Sequence, residues 1–292
     1  MRLGPFFLGL LLICGASLQA QVFDCFLFFN ELDLLEVRLY ELYDHVDKFV
    51  IVESTETFKG RPKELHFEKN KGRFSQYLDK IIHLVVPLNR STCERERKQN
   101  FNQRRERFQR NAIMQALGGC CDDDIILISD LDEIFRPSAL EKGVKKLENR
   151  ECDSVAFEMR LYRYYLDRYH CGWKAAGATT YGYLKTINPQ KFRTIITGWG
   201  ETRQFSRPHL IKNGGWHFTY MGGHEKVIEK IAAFSHVEGK RQHWSVDPQT
   251  IKKTIDNQTT QTRIDATYPR FIWENIGYFE KKGYIYRGKK PN

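Results

Sequence analysis

Two carboxylates one residue apart, Asp130 and Asp132, follow the most apolar strand-like run of the chain, Ile125-Ile126-Leu127-Ile128. Carboxylates are hard oxygen donors. Two of them at positions i and i+2, where an extended chain turns, can face one divalent cation, and that cation can bridge two oxygens of a nucleotide diphosphate. Ligands of open α/β sheets collect at the carboxyl ends of strands, so the place of this pair says more than its spacing. The competing reading is a capping role at the next helix. A second acidic run, Asp122-Asp123-Asp124, precedes the strand instead of ending it and reads as a solvated loop.

Positioning such a pair takes a rigid layer of strands, and the first half of the chain predicts one. Residues 22–29 form an apolar, aromatic and β-branched run, and Leu35, Leu39, Leu42 and Val46 then recur on one helical face. A strand at 48–52, a short strand at 65–67, a helical stretch near 74–78 and a strand at 81–86 ended by Pro87 follow. A long charged helix over 94–117, with Phe101, Phe108, Ala112 and Ala116 inward, stops at Gly118-Gly119. The strand before Asp130 and a helix from Pro137-Ser138 to Leu147 complete the series. Strands this apolar have no wet face, which implies an α/β fold with a mostly parallel, Rossmann-type sheet flanked by helices.

Past residue 150 aromatics and glycines crowd the chain, and short strands and loops are expected, with helices at 226–235 and 248–257 and an exposed basic tail beyond Gly277. The expected division is a nucleotide-binding half at 21–150 and an aromatic-rich second half at 151–292 of the same domain.

The 292 residues carry a formal net charge of +10 and 13% aromatic side chains. That aromatic content argues against disorder, and the length against a disulfide-held miniprotein. A basic balance suits nucleic acid, an anionic membrane face or a phosphate-bearing small molecule. The basic residues are scattered and no nucleic-acid motif occurs, so a nucleic-acid partner is not expected.

Residues 1–20 combine Arg2, an apolar run from Phe6 to Ile13 and small residues up to Ala20, the pattern of a signal peptide or a short anchor. The secretory route, in the ER or Golgi lumen or at a membrane, is the expected location. Cys25, Cys93, Cys120, Cys121, Cys152 and Cys171 leave disulfides open without fixing a pairing. The sequons at Asn89 and Asn257 would permit glycosylation there.

The runs Asp24-Cys25-Phe26-Leu27-Phe28-Phe29-Asn30-Glu31 and Val46-Asp47-Lys48-Phe49-Val50-Ile51-Val52-Glu53-Ser54 resemble the start of glycosyltransferase family 17. The likeness continues, in order, through Phe108-Gln109-Arg110-Asn111-Ala112-Ile113, Ile128-Ser129-Asp130-Leu131-Asp132-Glu133-Ile134 and Gly215-Trp216-His217-Phe218. The resemblance implies a GT-A-like fold and UDP-N-acetylglucosamine as donor. It further implies Mn2+ or Mg2+ as metal and inverting transfer in β-1,4 linkage to a mannose of an N-glycan-like acceptor.

Under that resemblance Asp130 and Asp132 hold the metal against the diphosphate, and Asp132 counts among the catalytic residues. His217 is the candidate third ligand, the alternative being a core histidine behind Trp216. Lys226 would meet a phosphate. Glu225 is the first candidate for the base that takes the acceptor proton, with Glu201 and Asp247 as alternatives. Glu53 would touch uridine or ribose, or else cap the next segment. Arg110-Asn111 would contribute to the donor site, whereas Arg104, Arg105 and Arg107 read as a solvated face.

Of Tyr162, Tyr165, Trp173, Trp199 and Trp216, one or two would stack on a sugar, the rest being core. The competing functions keep the fold with another sugar or acceptor, such as a surface polysaccharide, or make the chain a non-enzymatic secreted glycan-binding protein.

Overall fold

The computed structural model describes residues 20–89, 101–198, 205–222 and 257–286, with Lys226, Gln249 and Lys253. The described strands are β1 (Val22–Phe28), β2 (Lys48–Ser54), β3 (Ile81–Val86), β4 (Ile125–Asp130), β5 (Glu133–Phe135), β6 (Ser154–Arg163), β7 (Arg168–Thr180), β8 (His209–Thr219) and β9 (Thr260–Gln261). The described helices are α1 (Leu32–Leu42), α2 (His66–Lys69), α3 (Phe101–Asn111), α4 (Ile113–Ala116), α5 (Pro137–Glu148), α6 (Tyr181–Ile187), α7 (Pro189–Thr197), α8 (Arg270–Glu274) and α9 (Ile276–Lys281).

One sheet holds all these strands in the order β3-β2-β1-β4-β7-β6-β8-β5, with β9 beside β7. The first four strands are mutually parallel. Beyond β4 the pairing is mixed: β7 runs antiparallel to β4 and β6, β8 is parallel to β6, and β5 is antiparallel to β8.

The apolar runs are explained by cover on both faces. Phe26 and Phe28 of β1 and Ile125 and Leu127 of β4 pack with Leu35, Leu39 and Leu42 of α1 and Leu140 and Leu147 of α5. Their alternate neighbours Cys25, Ile126 and Ile128 pack with Ala112, Ile113, Phe192 and Ile196 on the opposite face. Successive side chains of a strand point to opposite faces, so a sheet sandwiched between helices needs apolar residues at every position. A third cluster joins Leu34 and Val37 of α1 to Trp216, Phe218, Tyr268, Ile272 and Phe279, so the segment 268–279 packs onto the first helix.

Several expectations are corrected. Residues 65–67 do not form a strand; α2 starts at His66, with a 3-10 segment Lys71–Lys80 after it. The second half contains strands of 10, 13 and 11 residues in place of short strands and loops. Two of its glycines are sites of close approach. A Cβ on Gly177 would lie 2.6 Å from Ile196 Cδ1, and on Gly215 (φ +154°) 2.1 Å from the Ile134 carbonyl oxygen.

The tail past Gly277 is docked as far as Tyr286: the Tyr278 and Tyr284 hydroxyls donate to Asp33 at 2.7 and 2.9 Å, and Phe279 is buried. The segment 1–19 expected as a leader, Cys93, residues 94–100 of the expected long helix and most of 226–235 and 248–257 lie outside the described residues. Among the described residues the cysteines are free thiols, and no helix is long and apolar enough to cross a membrane.

Candidate active site

β4 ends at Asp130 and β5 begins at Glu133, so the carboxylate pair sits on the tight connection between two strands. β5 then pairs with β8 and sets Glu133 opposite His217. This pairing brings the second half of the chain to the end of the parallel layer.

Every main-chain carbonyl of the connection has a partner. Arg38 of α1 donates through Nη1 to the carbonyls of Asp130, Leu131 and Glu133 at 2.9, 3.1 and 2.9 Å. The Asp132 carbonyl accepts the Phe218 amide at 2.8 Å. The Asp130 amide donates to Glu133 Oε2 at 3.0 Å. Arg38 is itself fixed by Asp24 of β1, through Nε to Oδ2 at 2.7 Å and Nη2 to Oδ1 at 2.5 Å, and Nη2 also reaches Ser129 Oγ at 2.6 Å.

On the opposite face of the sheet two arginines converge on the Asp130 side chain. Arg110 Nη2 meets Oδ1 at 3.0 Å and Arg193 Nη2 meets Oδ2 at 2.7 Å. Arg193 also grips the buried Glu133, Nη1 to Oε2 at 2.5 Å and Nη2 to Oε1 at 3.0 Å, and donates to the Ala175 carbonyl. Trp173 Nε1 completes the set on Glu133 Oε1 at 2.6 Å. Glu133 is sealed, but the Asp130 side chain remains 35% exposed. Burial pushes the Asp130 carboxyl up, and the Arg193 and Arg110 guanidiniums outweigh it, holding the group below the usual carboxylate range.

Asp132 pairs with a histidine. His217 Nε2 lies 3.4 Å from Asp132 Oδ1, and both side chains are nearly buried. His217 Nδ1 is buried without a hydrogen-bond partner among the described residues. The Trp173 ring is 5.1 Å from the imidazole, centroid to centroid.

The sequence reading placed both carboxylates on one cation. In the structure the oxygens of Asp130 are engaged by two arginines, and Asp132 pairs with the histidine. An anionic oxygen beside an imidazole nitrogen suits Mn2+ better than the all-oxygen shell Mg2+ prefers. Among the described residues no three His, Cys, Asp or Glu side chains converge as a ready-made metal cage.

The other sequence candidates divide. Arg110 meets Asp130. Asn111 Oδ1 accepts the Gln190 amide at 2.9 Å and so ties α3 to the start of α7; Arg110 Nη1 adds a bond to Gln190 Oε1. Glu53 is fully buried and accepts from Lys63 Nζ, the His66 and Phe67 amides and His83 Nε2. Of its two readings, its carboxylate performs the capping one, at α2. Burial raises the Glu53 carboxyl, and its bonds from His83 and Lys63 bring it below its ordinary value.

Lys226 is exposed and packs near Gly222. Glu225, Glu201, Asp247 and Trp199 lie outside the described residues. Tyr162 and Trp216 are buried, and Tyr165 packs on Tyr286, which leaves Trp173 as the aromatic ring half-exposed beside Asp132 and His217.

Sequence reading missed Asp24, Arg38, Glu133, Trp173 as an anchored ring, Gln190 and Arg193. A signal existed for most of them. Asp24 interrupts an apolar strand, and Arg38 and Arg193 stand on the apolar faces of α1 and α7, among Leu34 and Leu42 and among Phe192 and Ile196. A charge in such a place is buried and therefore paired.

The model of glycosyltransferase family 17 matches residues 15–264. The β-1,4-mannosyl-glycoprotein 4-β-N-acetylglucosaminyltransferases of Rattus norvegicus and Homo sapiens are each 30% identical over 264 residues, and that of Mus musculus is 29% identical over 266 residues. Each alignment covers 86% of this chain and 47% of the relative, so the chain spans about half the length of these proteins.

Likeness to solved structures is looser. 4-Diphosphocytidyl-2C-methyl-D-erythritol synthase gives 16% identity and a TM-score of 0.41 over 67% of this chain and 90% of that one. Glucosyl-3-phosphoglycerate synthase from Mycobacterium tuberculosis gives 12% and 0.35 over 67% and 69%. With its family-model match running through both halves of the sheet and through Asp130, Asp132 and His217, the chain belongs to glycosyltransferase family 17.

Proposed function

We propose that this chain is an inverting, metal-dependent glycosyltransferase. It moves N-acetylglucosamine from UDP-N-acetylglucosamine, in β-1,4 linkage, to a mannose of an N-glycan-like acceptor. The observation that carries the reading is the meeting of the 130–133 connection with His217: Asp132 and an imidazole 3.4 Å apart, beside an open carboxylate held by two arginines. The donor and linkage rest on the names of relatives 30% identical. The glycan or glycoprotein acceptor, a secretory-route location and peripheral or anchored membrane association belong to the same proposal.

Asp132 and His217 would hold the ion. Mn2+ or Mg2+, when bound, would neutralise charge growing on the UDP leaving group. Arg110 and Arg193 bring fixed positive charge to the same strand end, where it favours an anionic diphosphate. Asp130 balances that charge in the free protein. Lys226 would add a phosphate contact.

Trp173, its indole N–H fixed by Glu133, offers a ring face to the apolar C–H side of a pyranose. Glu225 is the proposed base that takes the proton of the acceptor hydroxyl, a single displacement that inverts the anomeric centre. Glu53 and Glu133 are excluded from that role by burial and by the donors already on their oxygens.

The test is direct. The purified full chain should be stabilised against heat by UDP with Mn2+. In a panel of UDP-sugars with a mannose-terminated N-glycan it should yield a product carrying one added N-acetylhexosamine. Absence of that stabilisation, together with no UDP release from any sugar of the panel, overturns the reading. Release from a different sugar would move the donor assignment while keeping the enzyme.

A further inference from the structure

The proposed function uses the side chains of the 130–133 connection, yet those side chains can act only if the connection keeps its shape. We propose that Arg38, anchored by Asp24, is the positioning residue that sets this shape. The proposal rests on the reading of Asp132 and His217 as the ion-holding pair.

Arg38 and Asp24 are both fully buried. Their position excludes contact with substrate or metal, so any effect on catalysis must pass through what they hold. A guanidinium has five N–H groups. In Arg38 they serve six acceptors: both Asp24 oxygens, Ser129 Oγ and the carbonyls of Asp130, Leu131 and Glu133. The Phe26 ring lies 4.3 Å from the guanidinium carbon and helps fix its plane.

Three main-chain carbonyls pointing at one group would repel each other in a bare turn. A cation at their focus reverses the sign of that interaction, and Asp24 neutralises the cation so that burial is tolerable. With the Asp132 carbonyl held by Phe218 and the Asp130 amide by Glu133, every carbonyl of the connection has a partner. Its side chains are thereby aimed before a ligand arrives, so no ordering cost falls on binding. Lysine cannot replace arginine here. It carries three N–H groups on a single nitrogen and cannot span Asp24 and three carbonyls together.

The test uses the full chain and two readouts. In ligand-free wild type, hydrogen exchange should find the Asp130 and Phe218 amides protected like those of central β1 and β2. In Arg38→Lys the protection at 130–134 should fall while that of β1 and β2 persists. Calorimetric titration with Mn2+ in the presence of UDP should then show about 10–100-fold weaker binding, the range seen when groups that orient metal ligands are removed. In turnover, kcat should fall more than the acceptor KM rises.

Asp24→Asn, which keeps the guanidinium but weakens its anchor, should show the same pattern at reduced size and serves if Arg38→Lys does not fold. Fast exchange at 130–134 in wild type overturns the proposal. So does a folded variant with wild-type exchange and wild-type Mn2+ affinity. If wild type itself binds neither Mn2+ nor UDP, the proposed function fails, and the exchange data alone decide the positioning role.

Discussion

Two arginine–carboxylate clusters grip the same strand end from opposite faces of the sheet. Beneath it, Asp24 and Arg38 are wholly enclosed by α1 and Phe26, and all their bonds go to fixed partners. Above it, Asp130 shares Arg110 and Arg193 with Glu106 and Glu133, and its side chain is 35% exposed. The closed cluster has the economy of a structural joint. The open one keeps an anion on two cations where another anion can compete for them. Similar residue types thus serve shape in one place and ligand charge in the other, and access to solvent decides which.

The largest effect should come from breaking the closed cluster on one side. Arg38→Met strands Asp24 as an uncompensated buried charge and should cost about 3–5 kcal/mol, read as a lowered urea midpoint. Removing both charges in Asp24→Leu with Arg38→Met should recover part of that stability while leaving the connection poorly held. Recovery of stability together with full activity would contradict the division of roles drawn here.

Next in size is Asp132→Ala. It should lower kcat about 10²–10³-fold, on the scale of losing one fixed electrostatic contact to the transition state, and should abolish Mn2+-dependent thermal stabilisation with the fold intact. Arg110→Ala removes one of the two cations on the open carboxylate. It should raise the KM for the UDP-sugar about tenfold, near 1.4 kcal/mol, with a smaller change in kcat. If instead only kcat fell, the arginine would be acting on the transition state and not on donor charge.

A pH series sharpens the contrast further. The Asp130 carboxyl is depressed in the folded protein, so its contribution to stability is present above the unfolded carboxylate value near 3.9 and is lost as pH falls below that through the lower folded value. Urea unfolding between pH 5 and the acid limit should show that loss, and Asp130→Asn should flatten it. The smallest effect is expected at the other acidic run. Asp122 and Asp123 make exposed ion pairs with Lys185 and Arg150, and Asp123→Ala should leave both melting temperature and turnover unchanged.

Much of the first half was legible because its signals are local. Strands at 22–28, 48–54, 81–86 and 125–130 announce themselves by unbroken apolar runs, and α5 by Pro137 at its start with Leu140 and Leu147 inward. The short strand expected at 65–67 failed for a reason no local window contains. Glu53, thirteen residues earlier, supplies the acceptor for the His66 and Phe67 amides and makes that segment helical. In the second half Gly177 and Gly215 resembled loop punctuation, although they are the places where Ile196 and β5 come too close for a side chain.

By itself the sequence determined the parallel layer, the strand end that carries Asp130 and Asp132, and the family, because apolar periodicity and ordered motifs are written along the chain. Only the tertiary structure decided which partners the carboxylates meet. It set Asp130 against two arginines from α3 and α7 and Asp132 beside a histidine from β8. It also showed that Asp24 and Arg38 belong together. Ion pairs and hydrogen bonds act over a few ångströms of space, and the partners of Arg38 here stand 14 to 95 residues away along the chain, where no spacing rule can see them.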